Sequence, residues 1–299
     1  MDGLLLVDKP SGPTSHDVVA RMRRALGEKR VGHTGTLDPM ATGLLPLVLG
    51  RATRLAQFLT LSDKSYDAVV RLGFATDTAD AQGRAVGPVH DSPFPSRDEI
   101  EAALDAFRGT FEQQPPAFSA KKIDGQRSYK LARNARATPP ALPALVSVTV
   151  HRLDIVSVES DQVTLRMDCS AGFYVRSLAH DLGVRLGTGA HLSALRRTRS
   201  GAFTLAGAIE LAIAERDPER AGTAVLPMSA MLPDLAPIVL TASGVLHAQQ
   251  GRELGPPDGV APRTGAADRV RLLDEAGELV GIGEPSTTPG LLHPSVILM

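Results

Sequence analysis

The sequence predicts an α+β fold, and three observations carry the prediction. Strand-type and helix-type patterns follow one another irregularly, without the β-α alternation of a doubly wound sheet. Segments 65–74, 145–150 and 163–169 alternate apolar and polar residues, as half-buried strands do. The chain has 299 residues, about two domains at ~150 residues each. That length buries a core without disulfide or metal staples.

Residues 4–7 read as a short buried strand. Thr14 and Ser15 then offer an N-cap, and Val18, Val19, Met22, Ala25 and Leu26 recur at helical spacing up to Gly27. Residues 32–43, GHTGTLDPMATG, hold Gly32, Gly35, Gly43 and Pro39, which demand a loop. An apolar segment over 44–49 and a helix over 51–61 follow. In 65–74, Tyr66, Ala68, Val70, Leu72 and Phe74 share one face. Ser96 and Glu99 make a capping box ahead of the stripe Ile100, Ala103, Leu104 and Phe107. Residues 113–140, with Pro115–Pro116 and Pro139–Pro140 near their ends, read as a basic excursion from the core. Val146, Val148 and Val150 mark one further strand; Val163, Leu165, Met167 and Cys169 mark another, broken by Gly172. A helix is predicted over 173–186, aligning Val175, Leu178, Leu182 and Leu186. Pro227, Pro233 and Pro237, then strand-like runs at 270–273 and 279–282, place a domain boundary near 235.

Lys+Arg number 32 and Asp+Glu 33. This balance excludes a disordered polyelectrolyte and a uniformly basic nucleic-acid coat. It conceals local runs, however. Residues 119–136 carry six basic side chains against Asp124, and 176–199 carry five against Asp181. Residues 236–299 are acidic, seven against four. Separate basic runs point to a polyanionic ligand met by local patches. The single cysteine, Cys169, excludes an internal disulfide framework or a zinc finger and fits a reducing cytosol. The opening MDGLLLVDKP does not read as a signal peptide. No run approaches the ~20 apolar residues of a membrane span.

The loop 32–43 is the densest in chemistry, offering His33, Thr34, Thr36, Asp38 and Thr42. It lacks the spacing and the lysine of a nucleotide P-loop, and His33 with Asp38 is a sparse metal set. Asp38 before Pro39 is good turn chemistry. It is also a carboxylate on a glycine-bounded loop, suited to nucleophilic or base work. Residue chemistry leaves both readings open. The chain has no tryptophan and three tyrosines, Tyr66, Tyr129 and Tyr174, each close to basic residues. Aromatic faces beside arginine are where nucleobases stack, although Tyr66 on an apolar strand face reads equally as core. Arg176 is either a solvated flank residue or the partner of a site carboxylate.

At this point the sequence resembles a known family. GHTGTLDPMATG resembles the catalytic motif of the TruB family, bacterial tRNA pseudouridine synthases. LLLVDKPSGPTSHDVV, KSYDAVVRLGFATDTADAQG, QQPPAFSAKKIDGQRSYKLAR and CSAGFYVRSLAHDLGVRLGTGAHLSALRRTRSGAF resemble its other motifs, in family order across residues 3–203. Residues 236–299 are more weakly similar to a small PUA-type RNA-binding module. The resemblance implies a catalytic domain over 1–235, a mixed or antiparallel central sheet flanked by helices with an RNA-binding insertion at about 113–140. A β-rich PUA-like domain over 236–299 would follow.

The implied activity converts a T-loop uridine of tRNA, position 55, to pseudouridine by cleaving the N-glycosidic bond and rejoining uracil through C5. No cofactor, metal or guide RNA is implied, and the protein would be a cytoplasmic monomer acting on the tRNA T-arm. Asp38 matches the catalytic aspartate, Tyr66 the tyrosine that stacks on the base, and Arg176 the aspartate's partner. His33, Tyr174, Leu195 and Lys9 match residues that line or support the substrate site. The implied RNA contacts are Lys121, Lys122, Arg127, Tyr129, Lys130, Arg133, Arg196 and Arg197. Asp67 departs from the basic residue more usual after the tyrosine. Two alternatives stand beside this one: a guide-RNA-dependent relative, which the acidic tail argues against, and a non-catalytic tRNA-folding chaperone.

Overall fold

The computed structural model describes residues 1–117, 142–261 and 269–298, together with backbone pairs at 122–123 and 126–127. Within strand β1 (Gly3–Lys9) residues 4–7 are apolar without interruption because both faces are covered there. Leu5 and Val7 enter one core, and Leu4 and Leu6 another. Helix α1 (Ser15–Leu26) begins at a capping box. The Thr14 hydroxyl accepts the Asp17 N–H at 3.1 Å, and the Asp17 carboxylate accepts the Thr14 N–H at 2.8 Å. Strands β2 (Val31–His33) and β3 (Thr42–Leu49) flank the glycine-bounded loop and pair antiparallel.

The helix predicted over 51–61 is split into a 3₁₀ turn, Gly50–Leu55, and helix α2, Ala56–Thr60. The Thr53 hydroxyl donates to the Gly50 carbonyl at 2.7 Å, an i to i+3 closure that tightens the first turn.

Strand β4 (Lys64–Leu72) buries Tyr66, Ala68, Val70 and Leu72, the face its alternation predicts. A hairpin of β5 (Ala75–Thr76) and β6 (Ala85–Val86) follows. Helix α3 (Arg97–Leu104), started by the Ser96–Glu99 box, then leads to β7 (Gly109–Gln113). A two-residue pair, β8 (Lys122–Ile123) and β9 (Gln126–Arg127), stands in the basic segment. Strand β10 (Val146–Glu159) runs far past the predicted 145–150. A bulge between Val150 and Arg152 shifts its phase, so Leu153 and Ile155 take over the buried face. Strand β11 (Gln162–Cys169), helix α4 (Val175–Leu186) and strand β12 (Ala190–Ser200) complete the central layer.

Sequence periodicity misses β12 altogether. Arg196, Arg197 and Arg199 read as a basic run, and bulges at Leu192/Ala194 and Arg197/Arg199 break the two-residue period.

Two short strands, β13 (Phe203–Thr204) and β14 (Ile209–Glu210), add to the main sheet, and helices α5 (Leu211–Arg216) and α6 (Pro218–Thr223) follow. The sheet order is β14-β1-β3-β12-β4-β11-β10-β7, with β2 and β13 attached beside β3 and β12. The β1–β14 and β3–β12 pairs are parallel and the rest antiparallel, so the sheet is mixed, as expected of this α+β chain.

Helices α1, α3 and α4 cover one face, sharing a core of Val18, Met22, Ile100, Leu104, Leu178 and Leu182. From Pro237 the chain builds a second sheet: β15 (Pro237–Val239), then helix α7 (Ala242–Gln249), β16 (Val270–Leu273), β17 (Leu279–Pro285) and β18 (Leu292–Ile297). Leu279, Ile282 and Leu298 of this unit share a core with Leu4, Leu6, Leu44 and Val48. The second sheet thus covers the β1–β3 part of the face that the helices leave open. Among the described residues no helix is long and apolar enough to cross a membrane.

Candidate active site

The loop between β2 and β3 is fastened from behind. The fully buried Lys9 donates from Nζ to the carbonyls of Pro10, Pro39 and Ala41 at 2.9, 3.2 and 2.7 Å. Burial pulls its ammonium down to about 8. Lys9 therefore supports the loop and presents no surface to a substrate. The Ser15 hydroxyl accepts the Leu37 N–H at 2.8 Å and donates to the Leu37 carbonyl at 3.1 Å. The Ala41 N–H donates to the Asp38 carbonyl at 3.1 Å, closing a turn with Pro39 at its second position. The turn predicted for Asp38 exists, but the main chain makes it and the carboxylate is used elsewhere.

That carboxylate meets Arg176, 138 residues away, in a two-point contact. Arg176 Nη2 donates to Oδ1 at 3.1 Å, and Nε lies 2.9 Å from Oδ2 as a charge contact outside hydrogen-bond alignment. The arginine side chain is 5% exposed and the aspartate 33%. The pair thus has a dry side and a wet side. On the dry side, Arg176 Nη1 donates to the Thr78 carbonyl at 3.1 Å and lies 3.9 Å from the buried Asp80 carboxylate. Sequence reasoning did not single out Thr78 or Asp80. The only signal was the Asp/Thr-dense TDTADAQG run, folded here as the β5–β6 loop, in which Asp80 accepts from the Thr78 hydroxyl at 2.7 Å.

Tyr66 on β4 sits across from Arg197 on β12 and Met167 on β11. Burial pushes its phenol above the usual tyrosine value, Arg197 opposes the shift, and the Asp38 charge adds to it. Leu195, two residues from Arg197 on β12, pairs with Ala68 and is buried beside the tyrosine row.

Arg197 requires a correction. It was expected to contact RNA, yet it is 1% exposed. Its Nε donates to the Leu44 carbonyl at 2.7 Å and its Nη2 to the Gly35 carbonyl at 3.0 Å. It is a strut between β12 and the Asp38 loop, with no reach to a phosphate. Gly43 makes this approach possible: its φ is +98°, and a Cβ there would fall 2.3 Å from the Arg197 carbonyl oxygen.

Arg196, by contrast, is 42% exposed and pairs with Asp8 at 2.6 Å. His33 accepts the Gly35 N–H at Nδ1, at 3.4 Å, and packs edge-on to His16 with ring centroids 5.3 Å apart. Tyr174 is half-buried at the N-cap of α4. Lys121, Tyr129, Lys130 and Arg133, and the side chains of Lys122 and Arg127, lie outside the described residues.

A model of the TruB family pseudouridylate synthase N-terminal domain matches residues 23–175, just over half of the chain. The chain belongs to the TruB family. A model of the tRNA pseudouridylate synthase B C-terminal domain matches residues 176–232, so the second sheet lies beyond both matches. A tRNA pseudouridine synthase B of Solibacter usitatus is 42% identical over 300 residues, covering all of both chains. One from Aromatoleum aromaticum is 45% identical over 95% of this chain and 89% of its own. A solved chain from an H/ACA ribonucleoprotein bound to a substrate RNA containing 2′-deoxyuridine superposes with a TM-score of 0.74. It is 28% identical, covering 99% of this chain and 85% of that one. Membership makes the protein a pseudouridine synthase, an isomerase.

Proposed function

We propose that this protein converts the T-loop uridine of tRNA, position 55, to pseudouridine without a guide RNA. The observation that carries the reading is the Asp38–Arg176 contact: a carboxylate fixed at two points yet one-third open to solvent. Full-length relatives called tRNA pseudouridine synthase B support tRNA as the substrate.

The reaction breaks C1′–N1 and forms C1′–C5, while a proton leaves C5 and one arrives at N1. Atoms and electrons balance within one nucleotide. One nucleophile or base suffices, and Asp38 takes that role at the ribose. Arg176 fixes the carboxylate so that its open edge faces the sugar. Tyr66 offers an aromatic face to the everted base, and its phenol, held neutral by burial, is placed to exchange a ribose proton. Leu195 adds an apolar wall that retains the detached uracil.

Extruding a base costs a few kcal/mol of unstacking. Phosphate contacts from Arg196 and the basic run 119–136 offset that cost and position the RNA without reading its sequence. We divide the chain into a catalytic domain, 1–235, with the RNA-binding insertion at about 113–140, and a PUA-like module, 236–299.

The test incubates pure protein with unmodified tRNA transcript, without guide RNA and with a chelator, and maps pseudouridine. Wild type should modify the T-loop uridine. Asp38→Asn should form no product while binding tRNA as wild type does. Wild-type protein that only accelerates tRNA folding would favour the chaperone alternative, and normal turnover by Asp38→Asn would remove the aspartate from the mechanism.

A further inference from the structure

The catalytic reading requires that Arg176 hold its place, yet Arg176 is the second residue of its helix. The first turn of a helix is its least secured part, because its N–H groups have no partners within the helix. Small polar residues usually cap such ends. Here the N-cap residue is Tyr174.

The fastening comes from another element. Gln113, the last residue of β7, is 2% exposed. Its carboxamide lies against the Tyr174 peptide and closes a ring of two hydrogen bonds. Tyr174 N–H donates to Oε1 at 2.8 Å, and Nε2 donates to the Tyr174 carbonyl at 3.0 Å. A third bond joins the same elements: the Ser177 hydroxyl donates to the Gln114 carbonyl at 2.7 Å. The end of β7 therefore grips α4 at residues 174 and 177, on either side of Arg176.

We propose that Gln113 is a positioning residue for the isomerisation. Its carboxamide fixes the first turn of α4, so that the Arg176 guanidinium meets Asp38 at two points rather than one. Only a carboxamide provides the acceptor and the donor together. Leucine removes both bonds. A glutamate that is ionised keeps the acceptor but sets a second oxygen against the Tyr174 carbonyl. The proposal rests on the reading of Asp38 and Arg176 given above.

The test measures single-turnover rate and tRNA affinity for Gln113→Leu and Gln113→Glu, and for each combined with Arg176→Lys. Thermal melts select variants that remain folded, and Gln113→Glu, nearly isosteric, guards against loss of the leucine variant. A misplacement of about 1 Å costs roughly 100-fold in rate, so a fall of ~10- to 100-fold is expected, with affinity within about twofold. In the Arg176→Lys background the same substitutions should change the rate less than about twofold, because Gln113 acts only through the guanidinium. A wild-type rate in both single variants would overturn the proposal. So would losses that multiply in the double variants, which mark a general structural role. Asp38→Asn is run alongside: if it turns over normally, the catalytic reading fails, whatever Gln113 does.

Discussion

Replacing Arg176 with methionine should destabilise the fold more than neutralising the aspartate that it holds. The guanidinium is 5% exposed and donates to the Thr78 carbonyl at 3.1 Å. Losing a charged donor to a partly buried carbonyl costs about 1.5–3 kcal/mol. Asp80, 8% exposed and 3.9 Å away, would then be buried without its cation. Breaking a buried pair from one side costs roughly 3–5 kcal/mol, of which the long separation claims only part. The Asp38 end is one-third open to water and adds less than about 1 kcal/mol. Methionine fills much of the space and saves the desolvation of a guanidinium. The net is about 3 kcal/mol. Asp38→Asn keeps shape and removes a partly solvated charge, at a cost of about 1 kcal/mol or less. The chain has no tryptophan, so urea unfolding is followed by far-ultraviolet circular dichroism at pH 7. An Arg176→Met midpoint equal to wild type, or an Asp38→Asn loss as large as that of Arg176→Met, would refute the reasoning.

Tyr66→Phe should keep the fold and the tRNA affinity while lowering kcat by about 10²- to 10⁴-fold, the usual worth of a positioned proton donor or acceptor; an unchanged kcat would leave Tyr66 with stacking alone. Gly43→Ala places a Cβ 2.3 Å from the Arg197 carbonyl oxygen at a φ of +98°; a loss of ~3 kcal/mol or more is expected in chemical denaturation, and a near-neutral result would show that β3 and β12 separate easily. Burial brings the Lys9 ammonium down to about 8 in the fold, from the usual lysine 10.5. The unfolded chain thus binds more protons between these values, and stability rises with pH across that window. Between pH 7.5 and 9.5 wild type should gain ~2 kcal/mol relative to Lys9→Met; parallel stability curves would show that burial does not hold the Lys9 ammonium down.

The elements that obey a single period were legible in the sequence. The α1 cap at Thr14, the Ser96–Glu99 box and the buried face of β4 all emerge from local spacing. Strand β12 was not legible, because arginines at 196, 197 and 199 and two bulges mask its alternation. Charge type also misled at Arg197. Sequence offers arginine to solvent by default, whereas main-chain carbonyls draw this one inward. The Asp38–Arg176 meeting spans 138 residues, and no periodicity encodes which loop faces which helix. Family resemblance supplied that pairing. It did not supply the Gln113 grip or the Thr78 and Asp80 contacts, which depend on where backbone groups end up after packing.

The position of β12 has a consequence for biosynthesis. Among the described strands of the main sheet it alone joins the pair β1–β3, beside the Asp38 loop, to the block β4–β11, which holds Tyr66. Its residues, 190–200, are translated long after both. Until the ribosome has released them, the two halves have no seam to close and Arg197 cannot reach Gly35 or Leu44. An emerging polypeptide therefore lacks the β3–β12–β4 seam until at least roughly two-thirds of it is made, and the late strand is the keystone of the main sheet.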